Sequence, residues 1–174
     1  NEKITYDINY KATIRLGKLA KKKNIKTFIF ISTQSVYGIS KNISKEIKEN
    51  TKNINPITAY ARSKYKAEKE LVKISKGYFK LIILRPATVF GESNNFRSDI
   101  VLNNLLGNAF LKKKINIFSD GTPWRPILHI DDMVSMIISS LNNSNVLDKQ
   151  IINLGYPKKN YTVLHLAKFV KKIV

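Results

Sequence analysis

The sequence contains no cysteine, which excludes a disulfide framework, a thiol nucleophile and any cysteine-ligated metal. Its two histidines, His129 and His165, are too few for a histidine-rich metal site, so no metal is expected. No apolar run approaches the ~20 residues that cross a bilayer, and no signal-peptide pattern is seen. Glycine is scarce at seven residues, and no G-x-x-G-x-x-G turn occurs. Acidic side chains are also few, 12 against 31 Lys and Arg, for a formal net charge of +19.

What remains is 174 residues, 43% of them hydrophobic. That length supports a packed core, and the apolar fraction is too high for a disordered tail. A cytoplasmic protein away from membranes is the expectation. The basic charge invites a nucleic-acid reading. Yet it consists of 26 Lys and only 5 Arg, beside 24 Ile and 18 Asn, spread through the chain. Nucleic-acid sites favour Arg, whose planar fork reads phosphates and bases, and no lysine run here interleaves with aromatics. Solvated surfaces account for the lysines better.

Helix and strand signals alternate. Residues 7–23 read as a helix with Ile8, Ala12, Leu16 and Leu19 on one face. Residues 27–32 form a short continuous apolar run, as in a strand buried on both sides. Residues 40–55 are polar and read as irregular, and Pro56 is expected to open a helix to residue 76. Strands are expected at 79–85, 115–118, 126–130 and 150–154, with helices at 99–113, 131–141 and 162–173. This order predicts an α/β fold with a mostly parallel sheet.

Two segments carry chemistry. Tyr60-Ala-Arg-Ser-Lys64 sets a phenol and an ammonium one helical turn apart on the same face. A cation there stabilises the phenolate, whose pKa starts near ~10, and makes tyrosine a general acid or base. Ile31-Ser-Thr-Gln-Ser-Val-Tyr-Gly38 places hydroxyls directly after an expected buried strand, where parallel sheets bind ligands.

Together these segments resemble the NAD-dependent epimerase/dehydratase family of extended short-chain dehydrogenases/reductases. Three more agree in order: Tyr6-Asp-Ile-Asn9, Leu84-Arg-Pro-Ala-Thr-Val-Phe-Gly91, and Trp124-Arg-Pro-Ile-Leu-His-Ile-Asp-Asp132. The likeness covers nearly the whole chain. It implies part of a Rossmann-type parallel sheet over residues 1–91. Residues 92–174 would form a small substrate-binding lobe, with elements returning to that sheet. Because the family's glycine-rich strand–turn–helix has no counterpart, the chain is expected to be the carboxyl-side portion of such an enzyme. That portion alone should bind NAD poorly.

Carried over by position, the resemblance assigns the catalytic roles to Thr33, Tyr60 and Lys64. It assigns contacts with NAD (NADP left open) to Asn9, Ser32, Thr33, Tyr60, Lys64 and Ala87. Contacts with a nucleotide-sugar substrate fall on Thr88, Asn104, Leu105, Asn116, Ile117, Phe118 and Arg125. A homodimer through the helices near 7–23 and 56–76 is implied as well. Family dehydratases carry acidic residues after the threonine, where Gln34 and Ser35 stand here, so a 4-epimerase-like activity or a keto-sugar reductase is favoured over 4,6-dehydration.

Several neighbours have plainer readings. Tyr37 and Gly38 shape a turn, Arg85 anchors a strand end, Asp132 caps a helix, and His129 is structural. Trp124 reads as core or as a lid, and Arg97 as a phosphate ligand or a surface pair. Two other functions stay open: a non-catalytic sugar-nucleotide binder that keeps the fold, and a basic nucleic-acid-binding module.

Overall fold

The computed structural model describes residues 1–39, 47–95, 97–157 and 160–174, arranged as two compact units. The first comprises residues 1–86 and 136–154, and the second residues 87–135 and 155–174. No helix among the described residues is long and apolar enough to cross a membrane.

In the first unit, β1 (Thr27–Ile31), β2 (Lys80–Pro86) and β5 (Ile151–Leu154) form a parallel sheet in the order β1-β2-β5. Thr27 pairs with Lys80 and Ile31 with Leu84, while Ile83 pairs with Ile151 and Pro86 with Leu154. Leu81 to Pro86 are all buried, as expected of a central strand covered on both faces. The expected helix at 7–23 begins earlier. It runs as α1 (Glu2–Tyr6), a π-helical turn (Asp7–Ala12) and α2 (Thr13–Lys22). The face with Ile8, Leu16 and Leu19 is exposed, and packing runs through Ile14 and Gly17 instead. A Cβ on Gly17 would lie 2.7 Å from Leu71 Cδ2, so the glycine lets the helices approach. Ile14, Phe30, Ala67, Leu71, Leu81 and Ile83 form the core between helices and sheet.

Pro56 does not open the next helix. α3 spans Ala59–Ile74, and Thr58 caps it by accepting the Ala61 amide at 3.1 Å, a stronger start signal than the proline. Of the irregular segment expected at 40–55, residues 40–46 lie outside the described residues, and 47–55 form turns and bends.

The second unit holds β3 (Thr88–Phe90), α4 (Val101–Lys112), β4 (Trp124–His129), the start of α5 (Ile130–Asn142), β6 (Asn160–Thr162) and α6 (Val163–Ile173). β4 pairs parallel with β3 and antiparallel with β6. The strand expected at 115–118 does not form; that segment pairs with no strand among the described residues. Its Ile115 and Ile117 pack on the cluster of Leu105, Ala109, Leu166, Ala167 and Val170, so their apolarity serves helix packing rather than a sheet. β3 and β6, three residues each, are not among the strands expected from the sequence.

Candidate active site

At the carboxyl end of β1 the chain turns sharply. Ser32 donates its amide to Leu84 O at 2.7 Å, continuing the register by one residue. Thr33 then caps a 3-10 turn (Gln34–Tyr37), its Oγ1 accepting the Ser35 amide at 3.1 Å. Gly38 closes the turn at φ +73°, and a Cβ there would stand 2.1 Å from Asn55 O. Only glycine fits. Gln34 donates its side-chain amide to Leu154 O at 3.1 Å, so the position that is acidic in dehydratases is tied to backbone.

Tyr60 and Lys64 lie one turn apart on α3. Tyr60 is exposed, whereas Lys64 is half-buried. The Lys64 Nζ donates to Ile31 O at 2.9 Å and sits 4.9 Å from the centre of the Phe30 ring and 5.9 Å from that of Tyr60. Burial holds its pKa below the ordinary lysine value. Hence the ammonium, the phenol and the threonine turn belong to one unit, joined through the end of β1.

Behind them lies a buried polar network. Glu68, one turn beyond Lys64, grips Arg85 with both oxygens: Nε donates at 2.9 Å and Nη2 at 2.5 Å. Ser32 Oγ donates to the same carboxylate at 2.5 Å. Arg85 Nη1 donates to the Tyr37 hydroxyl at 2.9 Å, which donates onward to Asn153 Oδ1 at 2.7 Å. Burial works to lower the Arg85 pKa, but Glu68 and Tyr37 outweigh it and hold the guanidinium above its ordinary value. Arg85 and Tyr37 thus do more than anchor a strand end and shape a turn. Glu68 and Asn153 were not singled out from sequence, although Glu68 falls at the i+8 position from Tyr60, on the same helix face. Asn9 lies in the π-helical turn and donates its side-chain amide to Thr5 O at 3.1 Å.

In the second unit, the seven residues assigned to substrate line one cavity of about 410 Å³. Thr88 comes from β3, Asn104 and Leu105 from α4, Asn116, Ile117 and Phe118 from the segment after it, and Arg125 from β4. Asp99 and Val163 line it too, and nothing in the sequence marked them. Phe118 and Arg125 are exposed, offering an aromatic face and a guanidinium. Arg97 forms a bidentate surface pair with Asp99, at 2.7 and 2.6 Å, whose hydrogen bonds hold the Asp99 carboxyl below its ordinary range. Ala87, buried, precedes β3.

The expected helix cap at Asp132 is corrected. α5 starts at Ile130, and the Asp132 carboxylate accepts the Tyr156 hydroxyl, which pushes that phenol's pKa up. His129 accepts the Asp131 amide at 3.3 Å and meets Phe90 edge-on. Trp124 is exposed on β4 rather than core.

A phenol, an ammonium and a hydroxyl at the end of a parallel strand are a donor set suited to the ribose and nicotinamide side of a dinucleotide. Several known proteins are similar to this chain. A Bacillus subtilis (strain 168) protein named as an uncharacterized UDP-glucose epimerase, YtcB, is 30% identical over 167 residues, covering 95% of this chain and 50% of its own length. The UDP-glucuronate 4-epimerase of Thermodesulfobacterium geofontis (strain OPF15) is 29% identical over 180 residues, covering 100% of this chain and 52% of its own. The crystal structure of UDP-glucuronic acid 4-epimerase from Bacillus cereus, in complex with UDP-glucuronic acid and NAD, superposes with a TM-score of 0.83 at 29% identity. That match covers 95% of this chain and 51% of that one. The chain therefore spans about half the length of the relatives it matches. A model of the NAD dependent epimerase/dehydratase family matches residues 1–155, and the chain belongs to that family.

Proposed function

We propose that the protein containing this chain is a sugar-nucleotide epimerase that transiently oxidises a carbon of the sugar. In this reading residues 1–91 are the later part of a Rossmann-type cofactor domain and residues 92–174 the substrate lobe. The observation that carries it is the half-buried Lys64 ammonium, bonded to Ile31 O and 5.9 Å from the centre of the Tyr60 ring.

The first unit supplies the chemistry. NAD, when bound, would supply the two-electron acceptor for hydride from the sugar carbon. Lys64 would hold the nicotinamide ribose and, as a cation, stabilise the Tyr60 phenolate. Tyr60 Oη accepts the sugar hydroxyl proton as the carbonyl forms, and gives it back when the carbon is reduced. Thr33 Oγ1 shares the hydrogen bond to that oxygen, while Ser32 and Asn9 would line the cofactor's place. The second unit supplies binding. Arg125 meets the diphosphate as a planar fork, and Asn104 with the Asn116–Phe118 segment holds the nucleotide. With Gln34 and Ser35 in place of acidic residues, the turn lacks the acid–base pair that elimination of water needs.

The reading also makes the exposed face of Ile4, Ile8, Leu16 and Leu19 a contact between two copies of the protein. Ile8→Glu should then lower the mass seen in sedimentation.

The test uses the full-length protein with NAD and a panel including UDP-glucose and UDP-glucuronate in deuterated water. Epimerised product without deuterium at the inverted carbon supports internal return of hydride. No epimer from any sugar nucleotide, or deuterium at that carbon, overturns the mechanism.

A further inference from the structure

We infer that the buried pair Glu68–Arg85, with Tyr37 as its third member, is a positioning device that holds the Thr33 turn in register with the helix bearing Tyr60 and Lys64. The inference rests on the acid–base reading of Tyr60 and Thr33, and extends it to residues that touch neither substrate nor cofactor.

The geometry is directional. Glu68 sits four residues after Lys64 and eight after Tyr60, so its carboxylate lies on the same helix face, about 6 and 12 Å further along the axis. One of its oxygens receives both Arg85 Nε and the hydroxyl of Ser32, the residue immediately before Thr33. At the other end of the turn, Tyr37 is held between Arg85 Nη1 and Asn153 Oδ1. The four-residue 3-10 turn is therefore clamped before and after, and both clamps lead back to one guanidinium. Asn153 is itself fixed, its amide donating to Glu49 Oε1 at 2.8 Å and its side chain to Ile47 O at 3.2 Å.

Stability alone does not call for this arrangement. Arg85 and Glu68 are 1% and 2% exposed, and burying two charges costs so much desolvation that a well-packed apolar pair is often at least as stable. What apolar contacts lack is direction. A leucine pair tolerates sliding, whereas a bidentate fork with further hydrogen bonds fixes helix, strand and turn to a narrow register. That register sets where the Thr33 hydroxyl lies relative to the phenol and ammonium of α3. A catalytic hydrogen bond loses much of its value when misplaced by an ångström.

The test compares Tyr37→Phe and the double change Glu68→Leu with Arg85→Met in the full-length protein, with Tyr60→Phe as reference. Melting temperature, kcat and KM toward whichever UDP-sugar the wild type turns over, and hydrogen exchange of residues 32–38 are followed. The expected result is a folded Tyr37→Phe protein with kcat at least tenfold lower, KM within twofold, and faster exchange across 32–38. The double variant should melt near the wild type and show the same kcat loss, which a role in stability alone would not produce. Should the double variant fail to fold, Tyr37→Phe decides. A folded Tyr37→Phe with kcat and exchange both unchanged overturns the inference. If Tyr60→Phe keeps full turnover, the acid–base reading has failed instead. Exchange at 32–38 then decides the clamp by itself: faster supports it, and unchanged overturns it.

Discussion

The Lys64 ammonium donates to the backbone carbonyl of Ile31 at 2.9 Å, so the cation beside Tyr60 is fixed to the strand end that leads into Thr33. A flexible lysine has many rotamers; this one is held by one carbonyl and the face of Phe30. The same burial that orients it makes its charge costly, so under the proposed mechanism stability and activity pull in opposite directions at this residue.

Lys64→Met should abolish most turnover, lowering kcat by roughly 10²-fold or more, as loss of an acid–base partner does. It should not lower the melting temperature at neutral pH. The folded pKa of Lys64 lies below its ordinary 10.5 because of burial. Between that lowered value and 10.5 the unfolded chain holds more protons, so wild-type stability rises with pH there. Below the window the desolvation cost is present in full. Melting curves from neutral pH to about 10.5 should show that rise in the wild type and a flatter profile in Lys64→Met.

Glu68→Gln leaves the Arg85 charge buried without its partner. A loss of about 3–5 kcal/mol is expected, read as a lower urea midpoint at unchanged slope. Replacing both residues by apolar ones should cost far less. Equal losses in the single and double variants would show that the charge is not what destabilises.

Gly38 and Gly77 separate backbone strain from steric clash. Both have positive φ, +73° and +77°, but a Cβ on Gly38 meets Asn55 O at 2.1 Å while one on Gly77 meets nothing within 4 Å. Gly77→Ala should cost about 1 kcal/mol. Gly38→Ala should cost more, about 3 kcal/mol, because the backbone must also shift. Similar urea midpoints for the two variants would contradict this.

Arg125→Ala should weaken UDP binding by roughly tenfold or more, with the loss shrinking as salt rises. Arg125→Lys should recover little, since a point charge does not reproduce the fork. Calorimetric titration with UDP checks both.

Much of this was legible in the sequence because its signals are local. The apolar runs at 27–32 and 79–85 predicted parallel strands, and the spacing of Tyr60 and Lys64 put them on one helix face. The seven positions assigned to substrate required the family resemblance, since no periodicity draws Thr88, Asn116 and Arg125 to one cavity. Other features were not local. The partners of Glu68 are Ser32 and Arg85, 36 and 17 residues away, and no short-range pattern announces them. The segment at 115–118 is short, apolar and β-branched like a strand, but Ile115 and Ile117 pack on helices. Pro56 was overridden by the Thr58 cap two residues later.

The most direct test is Tyr60→Phe in the full-length protein, assayed for epimer formation and, separately, for UDP binding. The phenyl ring keeps the packing and removes only the hydroxyl proposed to carry the proton. Turnover lost by roughly 10²-fold or more, with UDP affinity unchanged, is the predicted result. Turnover within twofold of the wild type would contradict the account.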